Sequence, residues 1–149
     1  MYNWFECKIK YDKTLESGVQ KSVTEPYLVD ALSFTEAEAR IIEEIKPYIA
    51  GEFSVSNIRR RRFTETFFNE TGDKYYDARL NFITRDEKSG NEKKTTIHML
   101  LSASSIEEAL NIVKSEMGKT MIDYEFSSIL ETAIIDVFPY QTSENGKDN

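Results

Sequence analysis

Alternating apolar and polar residues predict two strands at the start of the chain. Residues 3–11 have the period of two that is typical of a half-buried strand, with apolar side chains at Phe5, Cys7, Ile9 and Tyr11. Ser17 and Gly18 predict a turn, and residues 22–32 are expected to form the second strand. Pro26 has no N–H to donate, so the second strand, or this part of it, is expected at a sheet edge.

A helix is predicted after these strands. Thr35 and Glu38 have the spacing of a capping box, in which a hydroxyl caps the helix and a carboxylate follows three residues later. The helix is expected to run to about Lys46, before Pro47, and its apolar stripe comprises Ala39, Ile41, Ile42 and Ile45. We expect this apolar stripe to be buried against a sheet. One long strand is then predicted at residues 52–68.

The second half of the chain repeats the first. An offset of 71 aligns residues 52–68 with residues 123–139 without a gap and pairs Phe53 with Tyr124. Ser105 and Glu108 repeat the capping box, and the elements predicted around it are strands at 75–82, 95–103 and 124–138 and a helix at 106–117. The polar residues 69–74 separate the halves.

Both long strands break their period of two at matching places. Phe53 and Val55 share a face, but Ile58 has the opposite parity, and the second copy does the same after Phe126. Such a shift is what a β-bulge leaves in a sequence. We therefore predict one bulge at Ser56 and Asn57, and another at Ser127 and Ser128.

These elements predict an α+β fold built from two β-β-α-β pseudo-repeats, residues 3–68 and 74–139. We expect them to share one mainly antiparallel sheet or partial barrel, with both helices packed on it. Two small side-by-side sheets remain the alternative. Residues 1–140 are expected to form a single domain, and residues 141–149 a flexible tail.

Composition narrows the class of function. The 149 residues carry a net charge of −7, which opposes binding of a polyanion over the whole surface. The single cysteine, Cys7, has no partner for an internal disulfide, and the N-terminus lacks the features of a signal peptide. No apolar run approaches the roughly 20 residues that span a bilayer. We therefore expect a cytoplasmic protein with no membrane role.

The sequence resembles the bacterial domain-of-unknown-function 4494 family. The resemblance is carried by NWFECKIKYDKTLESGVQKSVTEPYLVDALSFTEAEARIIEE at residues 3–44, GEFSVSNIRR at 51–60 and SSILETAIIDVFPY at 127–140. It implies a compact, stand-alone cytoplasmic bacterial protein. It transfers no catalytic or binding residue, so candidate sites rest on the residues themselves.

The candidate ligand-binding residues are Arg59, Arg60, Arg61, Arg62 and Phe63. Alternation along a strand places Arg59 and Arg61 on one face, about 7 Å apart, where two guanidinium groups would grip a phosphate or carboxylate. Phe63 and Phe67 share their parity and would stack a nucleic-acid base. The alternative is that the arginines pair with the protein's own carboxylates, for example Glu131, or protect an edge strand from aggregation.

Other candidate residues are weaker. His98 is the only histidine and lacks an identifiable partner, and a nucleophile–base pair with Cys7 would need strands from different halves to meet. One histidine and one cysteine argue against a zinc site. Asp30, Glu65 and Asp136 are the acidic residues in apolar strands, and Glu65 and Asp136 occupy equivalent positions. No phosphate loop, nucleophile elbow or metal helix motif is present.

These observations favour a non-enzymatic binding module without a cofactor or metal. Its expected partner is a protein or a small anionic ligand, held on the sheet surface or between the halves. The alternative is nucleotide or nucleic-acid binding through the arginine strand at residues 58–63, which the net charge disfavours. An uncharacterised hydrolase is the third hypothesis. A homo-oligomer is compatible with an unpaired strand edge.

Overall fold

A computed structural model describes residues 3–140, and residues 141–149, where the flexible tail was predicted, lie outside the described part. Two helices and two mainly antiparallel four-stranded sheets give the α+β fold that the sequence predicts. The strands thus form two sheets rather than a single shared one. The elements are β1 (Asn3–Thr14), β2 (Gln20–Ala31), α1 (Phe34–Ile45), β3 (Phe53–Arg61), β4 (Glu65–Phe67), β5 (Lys74–Arg85), β6 (Glu92–Ala103), α2 (Ile106–Met117), β7 (Asp123–Glu131) and β8 (Asp136–Phe138).

The chain divides into two compact units. Unit 1 contains the described residues up to Arg62 and from Ile134 onward, and unit 2 runs from Phe63 to Ala133. The strand order in unit 1 is β3-β1-β2-β8, and in unit 2 it is β4-β6-β5-β7. Each sheet is antiparallel except at its short strand, because β8 runs parallel to β2 and β4 runs parallel to β6.

The prediction of one long strand at residues 52–68, and of another at 124–138, is wrong. Each is divided by a short break, and only its longer part stays in the sheet expected for it. The remaining three residues join the sheet of the other unit: β4 pairs with β6 at Glu65↔Met99, and β8 pairs with β2 at Tyr27↔Asp136. Each three-residue segment continues the strand-like pattern before it and has only one or two apolar side chains, so periodicity did not reveal the division.

Both predicted bulges are confirmed. In unit 1 the register passes from Lys8↔Asn57 to Ile9↔Val55, which leaves Ser56 as the extra residue. In unit 2 it passes from Arg79↔Ser128 to Leu80↔Phe126, which leaves Ser127. The extra residue moves every later side chain of the strand to the opposite face, so the apolar residues on both sides of the bulge face the core.

Both helices begin at a serine cap, one of which the sequence placed wrongly. The cap of α1 is Ser33 rather than Thr35: its hydroxyl accepts the N–H of Glu36, and the Glu36 carboxylate accepts the N–H of Leu32 at 2.7 Å. This earlier start also corrects the apolar stripe, whose buried residues are Ala37, Ile41 and Ile45. The predicted cap of α2, Ser105 with Glu108, is confirmed.

Each unit has its own apolar core between one sheet face and one helix. The core of unit 1 contains Phe5, Cys7, Ile9, Tyr27, Val29, Ala31, Ala37, Ile41, Ile45 and Ile49. The core of unit 2 contains Tyr76, Ala78, Leu80, Ile97, Met99, Leu101, Ala103, Ala109, Val113 and Met117. These residues identify the face of each sheet that packs on a helix. The opposite faces carry most of the charged residues of the sheets.

Pro26 lies where β8 meets β2. The N–H of Ile135, just before β8, donates to the Pro26 carbonyl at 2.8 Å, and the paired residues of β2 follow immediately, at Tyr27–Val29. Because the nitrogen and carbonyl of one strand residue point the same way, the missing N–H of Pro26 is on the β8 side. The expectation of an edge thus holds only for the part of β2 that β8 does not cover.

The polar connector after β4 is a tight turn packed on the end of β6. The Asn69 carboxamide oxygen accepts the N–H groups of Thr71 and Gly72 at 3.1 and 2.8 Å. The backbone N–H of Asn69 donates to the Ser102 hydroxyl, and the Asn69 side-chain amide donates to the Ser102 carbonyl. Ser102 is buried. A Cβ on Gly72 would lie 2.5 Å from the backbone nitrogen of Ala103, so only glycine fits here.

Candidate functional site

The arginine run lies on β3, the end strand of the unit 1 sheet. β3 pairs with β1 on one side, and the register sets Arg59 opposite Glu6 and Arg61 opposite Trp4. Phe5, Cys7 and Ile9 of β1 face the helix, so Glu6, Arg59 and Arg61 lie on the other face of the sheet. The predicted alternation of the arginines is therefore present.

Two guanidinium groups converge on one carboxylate oxygen. Arg59 Nη2 lies 3.2 Å from Glu6 Oε1, and Arg61 Nη1 donates to the same oxygen. The carboxylate that the two arginines share is Glu6, on the adjacent strand, and not Glu131, which was the example of an internal partner considered from the sequence. Glu6 is only 7% exposed, and pairing is the usual condition for burying a carboxylate.

The two arginines differ in exposure, and this divides their roles. The Arg61 side chain is 21% exposed, whereas the Arg59 side chain is 61% exposed. An arginine has five N–H donors in a planar fork, and a single hydrogen bond to Glu6 leaves most of those on Arg59 directed at solvent. Arg61 therefore neutralises Glu6, while Arg59 retains the capacity to bind a second anion.

The other two arginines extend the positive charge along the strand. Arg60 lies opposite Phe5 on the helix side of the sheet, where its Nη2 donates to Asn3 Oδ1 at 2.8 Å. Arg62 follows the last residue of β3 and is exposed. We call the set Arg59, Arg60, Arg61 and Arg62 the basic edge.

Phe63 does not continue this strand. The division of residues 52–68 ends β3 at Arg61 and assigns Phe63, half-buried, to unit 2. Phe67 lies in β4 and packs on the core of unit 2. The expectation that both rings share the parity of Arg59 on one strand is therefore wrong, because the strand is broken between them.

The corresponding edge in unit 2 lacks the arginines. β7 is the end strand there, and the residues at the aligned positions are Leu130, Glu131, Thr132 and Ala133. Leu130 is 63% exposed, so this edge presents an apolar side chain where β3 presents Arg59. Asp77 lies at the position aligned with Glu6 and contacts His98.

His98 has a partner that the sequence analysis missed. Its Nδ1 lies 2.9 Å from Asp77 Oδ1, on the sheet face opposite the unit 2 core. The hairpin register sets Arg79 opposite His98, which makes Asp77 a diagonal neighbour. Counting back from the turn would have found this pair. Among residues 3–140 no hydroxyl or thiol bonds to the His98 ring, so no nucleophile is attached to this imidazole.

Cys7 is enclosed in the core of unit 1 and belongs to a different unit from His98. Burial, together with the negative charges of Glu6 and Glu38, raises the pKa of the thiol from 9.0 to about 12. The thiolate is the reactive form, so a thiol with this pKa is a poor nucleophile at neutral pH.

We expect native Cys7 to resist thiol reagents. In the folded protein at pH 8, reaction with a disulfide reagent should be at least about 100-fold slower than in denaturant, because both access and the thiolate fraction are reduced. Absorbance of the released chromophore measures the rate. Ser56→Cys, on an exposed residue of the same unit, provides a reactive control. Equal rates at Cys7 and at the control would show that the core is open.

The acidic candidates occupy three separate environments. Asp30 pairs with Arg40 of α1 at 3.0 Å, and burial raises its pKa although Arg40 opposes the shift. Glu65 is exposed on β4 in unit 2. Asp136 is half-buried on β8 in unit 1, where its carboxylate accepts the N–H of Val137. Glu65 and Asp136 thus belong to different sheets as well as to different units.

Within residues 3–140, no three His, Cys, Asp or Glu side chains are grouped as ligands of a metal ion. In the same range no helix has both the length and the apolar character needed to cross a membrane.

Comparison with known proteins places the chain in a family. The model of a domain of unknown function, DUF4494, matches residues 3–140, which is the whole of the described chain. The chain belongs to the DUF4494 family. The resemblance noted from the sequence is therefore confirmed. Comparison with curated proteins and with solved structures finds no match. Family membership assigns no ligand, so the basic edge is the feature from which a function is inferred.

Proposed function

We propose that the chain is a cytoplasmic, non-enzymatic binding module that holds an extended acidic segment of a partner protein along β3. The observation that carries this proposal is the basic edge. In a protein of net charge −7, four consecutive arginines lie at the end strand of a sheet. One of them, Arg59, remains 61% exposed although it shares a carboxylate with Arg61.

The backbone of β3 supports this mode of binding. An end strand has one row of N–H and C=O groups that no strand of its own sheet pairs with, and an extended peptide adds to such a row by forming main-chain hydrogen bonds. β3 is nine residues long, which is enough for several such bonds. Arginines on both faces would then select a peptide with carboxylates at successive positions.

The two halves of the chain share a pattern of elements, but only the end strand of the first half carries the arginines. We infer that residues 3–68 and 74–139 are two copies of one β-β-α-β pattern, since their bulges fall at Ser56 and Ser127 and their helices both begin at capped serines. The copies share the apolar frame and form one domain over residues 1–140. The arginines are absent from the second copy, so they are not part of the common frame: Arg59 and Arg61 hold the buried Glu6, and the exposed arginines are available to a partner.

Charge favours a protein partner over nucleic acid. A nucleic acid brings a continuous row of phosphates, which the net charge of −7 repels beyond the basic edge. A short acidic peptide places its few charges at the arginines alone. The binding experiment therefore compares an acidic peptide with an oligonucleotide.

The proposal is tested with labelled nine-residue peptides, matched to the length of β3. Fluorescence anisotropy should detect binding of a peptide that alternates valine with glutamate. A valine–lysine peptide and an oligothymidylate should not bind. Changing Arg60 and Arg62 to serine should weaken binding about tenfold, as expected for the loss of two exposed charge contacts. These two are chosen because Arg59 and Arg61 also hold the buried Glu6.

Lys13→Ser with Lys21→Ser is the matched control. It removes the same charge from exposed residues of the β1–β2 hairpin in the same unit, and binding should stay within about twofold of wild type. Equal losses in the two double variants would mean that net charge, not the basic edge, holds the peptide. Preferred binding of the oligothymidylate would replace the protein partner with nucleic acid.

A further inference from the structure

Unit 2 contains a cavity of about 300 Å³ between its sheet and the end of α2. Its apolar walls are formed by Phe67, Phe82, Met99, Met117 and Ile122. This volume is at the lower end of the range for small-molecule pockets, about 300–1,000 Å³. The basic edge belongs to unit 1, so this cavity is a separate feature and goes beyond the proposed function.

Unit 1 fills the same place with aromatic rings. Tyr27 takes the position of Met99, since each pairs with the small residue at the centre of its hairpin: Cys7↔Tyr27 and Ala78↔Met99. Phe138 on β8 takes the position of Phe67 on β4. The Tyr27 and Phe138 rings are stacked with centroids 6.0 Å apart.

A third ring of unit 1 lies at the surface beside these two, and it belongs to Tyr48, which is 69% exposed. Tyr48 stands three residues beyond the end of α1, and its ring centroid lies 6.3 Å from that of Phe138. Thr120 stands three residues beyond the end of α2 and lines the cavity. Unit 2 therefore has a thioether and a hydroxyl where unit 1 has two phenol rings, and this difference leaves the space open.

The rim of the cavity is acidic. Its two charged residues are Glu65 on β4 and Glu116 on α2. Glu116 is paired with Lys119 at 3.0 Å, whereas Glu65 has no ion-pair partner among residues 3–140. The Thr120 hydroxyl donates to the Met117 carbonyl at 2.8 Å and is therefore already bonded. Glu65 is the charged group at this rim that remains available to a ligand.

We propose that this cavity binds a small amine with a single aromatic or branched aliphatic group. The apolar part would pack between Phe67 and Phe82 and against the methionine sulfurs, which contact aromatic rings favourably. The ammonium group would pair with the Glu65 carboxylate at the rim. A ligand with a carboxylate in place of the amine would be repelled there, so charge selects the ligand class.

The methionines make the test direct. The chain has four, of which Met99 and Met117 line the cavity and Met121 is fully exposed. Protein labelled with ¹³C at the methionine methyl groups is titrated with 2-phenylethylamine, 2-phenylethanol or phenylacetate and followed by NMR. The amine should produce saturable shifts of the Met99 and Met117 signals while Met121 stays unchanged. Phenylacetate should produce none.

Two variants separate the apolar and the charged contributions. Met99→Tyr with Thr120→Tyr introduces the rings of unit 1 and should abolish the saturable shift of Met117. Glu65→Gln, on an exposed side chain, should weaken the amine about fivefold or more and leave 2-phenylethanol unchanged. Binding by the Arg60→Ser, Arg62→Ser protein should equal wild type, which keeps this test independent of the basic edge.

The proposal is overturned if the amine shifts Met121 as much as Met99 and Met117, or if no signal saturates. It is also overturned if amine and alcohol bind equally and Glu65→Gln changes neither, because the rim charge would then select nothing. Glu65→Gln keeps the cavity walls intact, so the test remains decisive even if the double tyrosine variant fails to fold.

Discussion

Replacing Arg59 and Arg61 together by alanine is expected to lower the free energy of unfolding by about 2–4 kcal/mol. Glu6 is 7% exposed, and both guanidinium groups bond to its Oε1. Without them a buried carboxylate keeps its desolvation cost and loses the pairing that offsets it. Arg61 should account for most of the loss, because the Arg59 contact is largely screened by solvent. Urea unfolding followed by circular dichroism measures the change.

Two further variants make this prediction specific. Glu6→Gln in the double-alanine background should recover at least about half of the lost stability, because the buried charge is removed. Arg60→Ala with Arg62→Ala removes two exposed charges and should cost less than about 1 kcal/mol. A double-alanine variant at 59 and 61 that unfolds like this control would mean that Glu6 does not depend on the arginines.

Gly72→Ala is expected to destabilise unit 2 by about 2–3 kcal/mol. The new Cβ would lie 2.5 Å from Ala103 N and 2.6 Å from Ser102 C, and both are backbone atoms of β6 that cannot rotate away. Moving the connector aside would also strain the hydrogen bonds that Asn69 makes to Ser102. The midpoint of urea unfolding should fall accordingly.

Gly118→Ala is the matched control for this substitution. Gly118 has helical backbone angles, φ −64° and ψ −17°, and a Cβ there would lie 3.3 Å from the Lys114 carbonyl oxygen. Helix propensity and the tight contact oppose one another, so stability should change by less than about 0.5 kcal/mol. Comparable losses at Gly72 and Gly118 would contradict the close approach of the connector to β6.

The features that depend only on residues close in the sequence, namely the bulges and the cap of α2, could be predicted from the sequence. The bulges at Ser56 and Ser127 follow from parity alone, because an extra strand residue must reverse the face of everything after it. The start of α2 follows from a serine with a glutamate three residues later. For α1 two residues have a glutamate three positions later, Ser33 and Thr35. The structure shows that Ser33 is the cap, whereas Thr35 was predicted.

Long-range pairing was beyond these rules. Nothing in the composition of residues 65–67 or 136–138 shows that they pair with the other sheet, since so short a segment carries no pattern that distinguishes one sheet from the other. The pairing of Arg59 with Glu6 depends on which strand neighbours β3, and that is set by topology rather than by local pattern. The cavity of unit 2 depends on Met99 and Thr120 lying where unit 1 has Tyr27 and Tyr48, and that correspondence is set by strand pairing and not by local pattern.

Amide hydrogen exchange along β3 tests the central proposal most directly. In the presence of the valine–glutamate peptide, the amides of β3 that face away from β1 should exchange at least about tenfold more slowly, because a new strand pairs with them. The amides of β7, the end strand that lacks the arginines, should be unchanged. Unchanged exchange along β3 at a saturating peptide concentration would contradict the proposal that this edge accepts a partner strand.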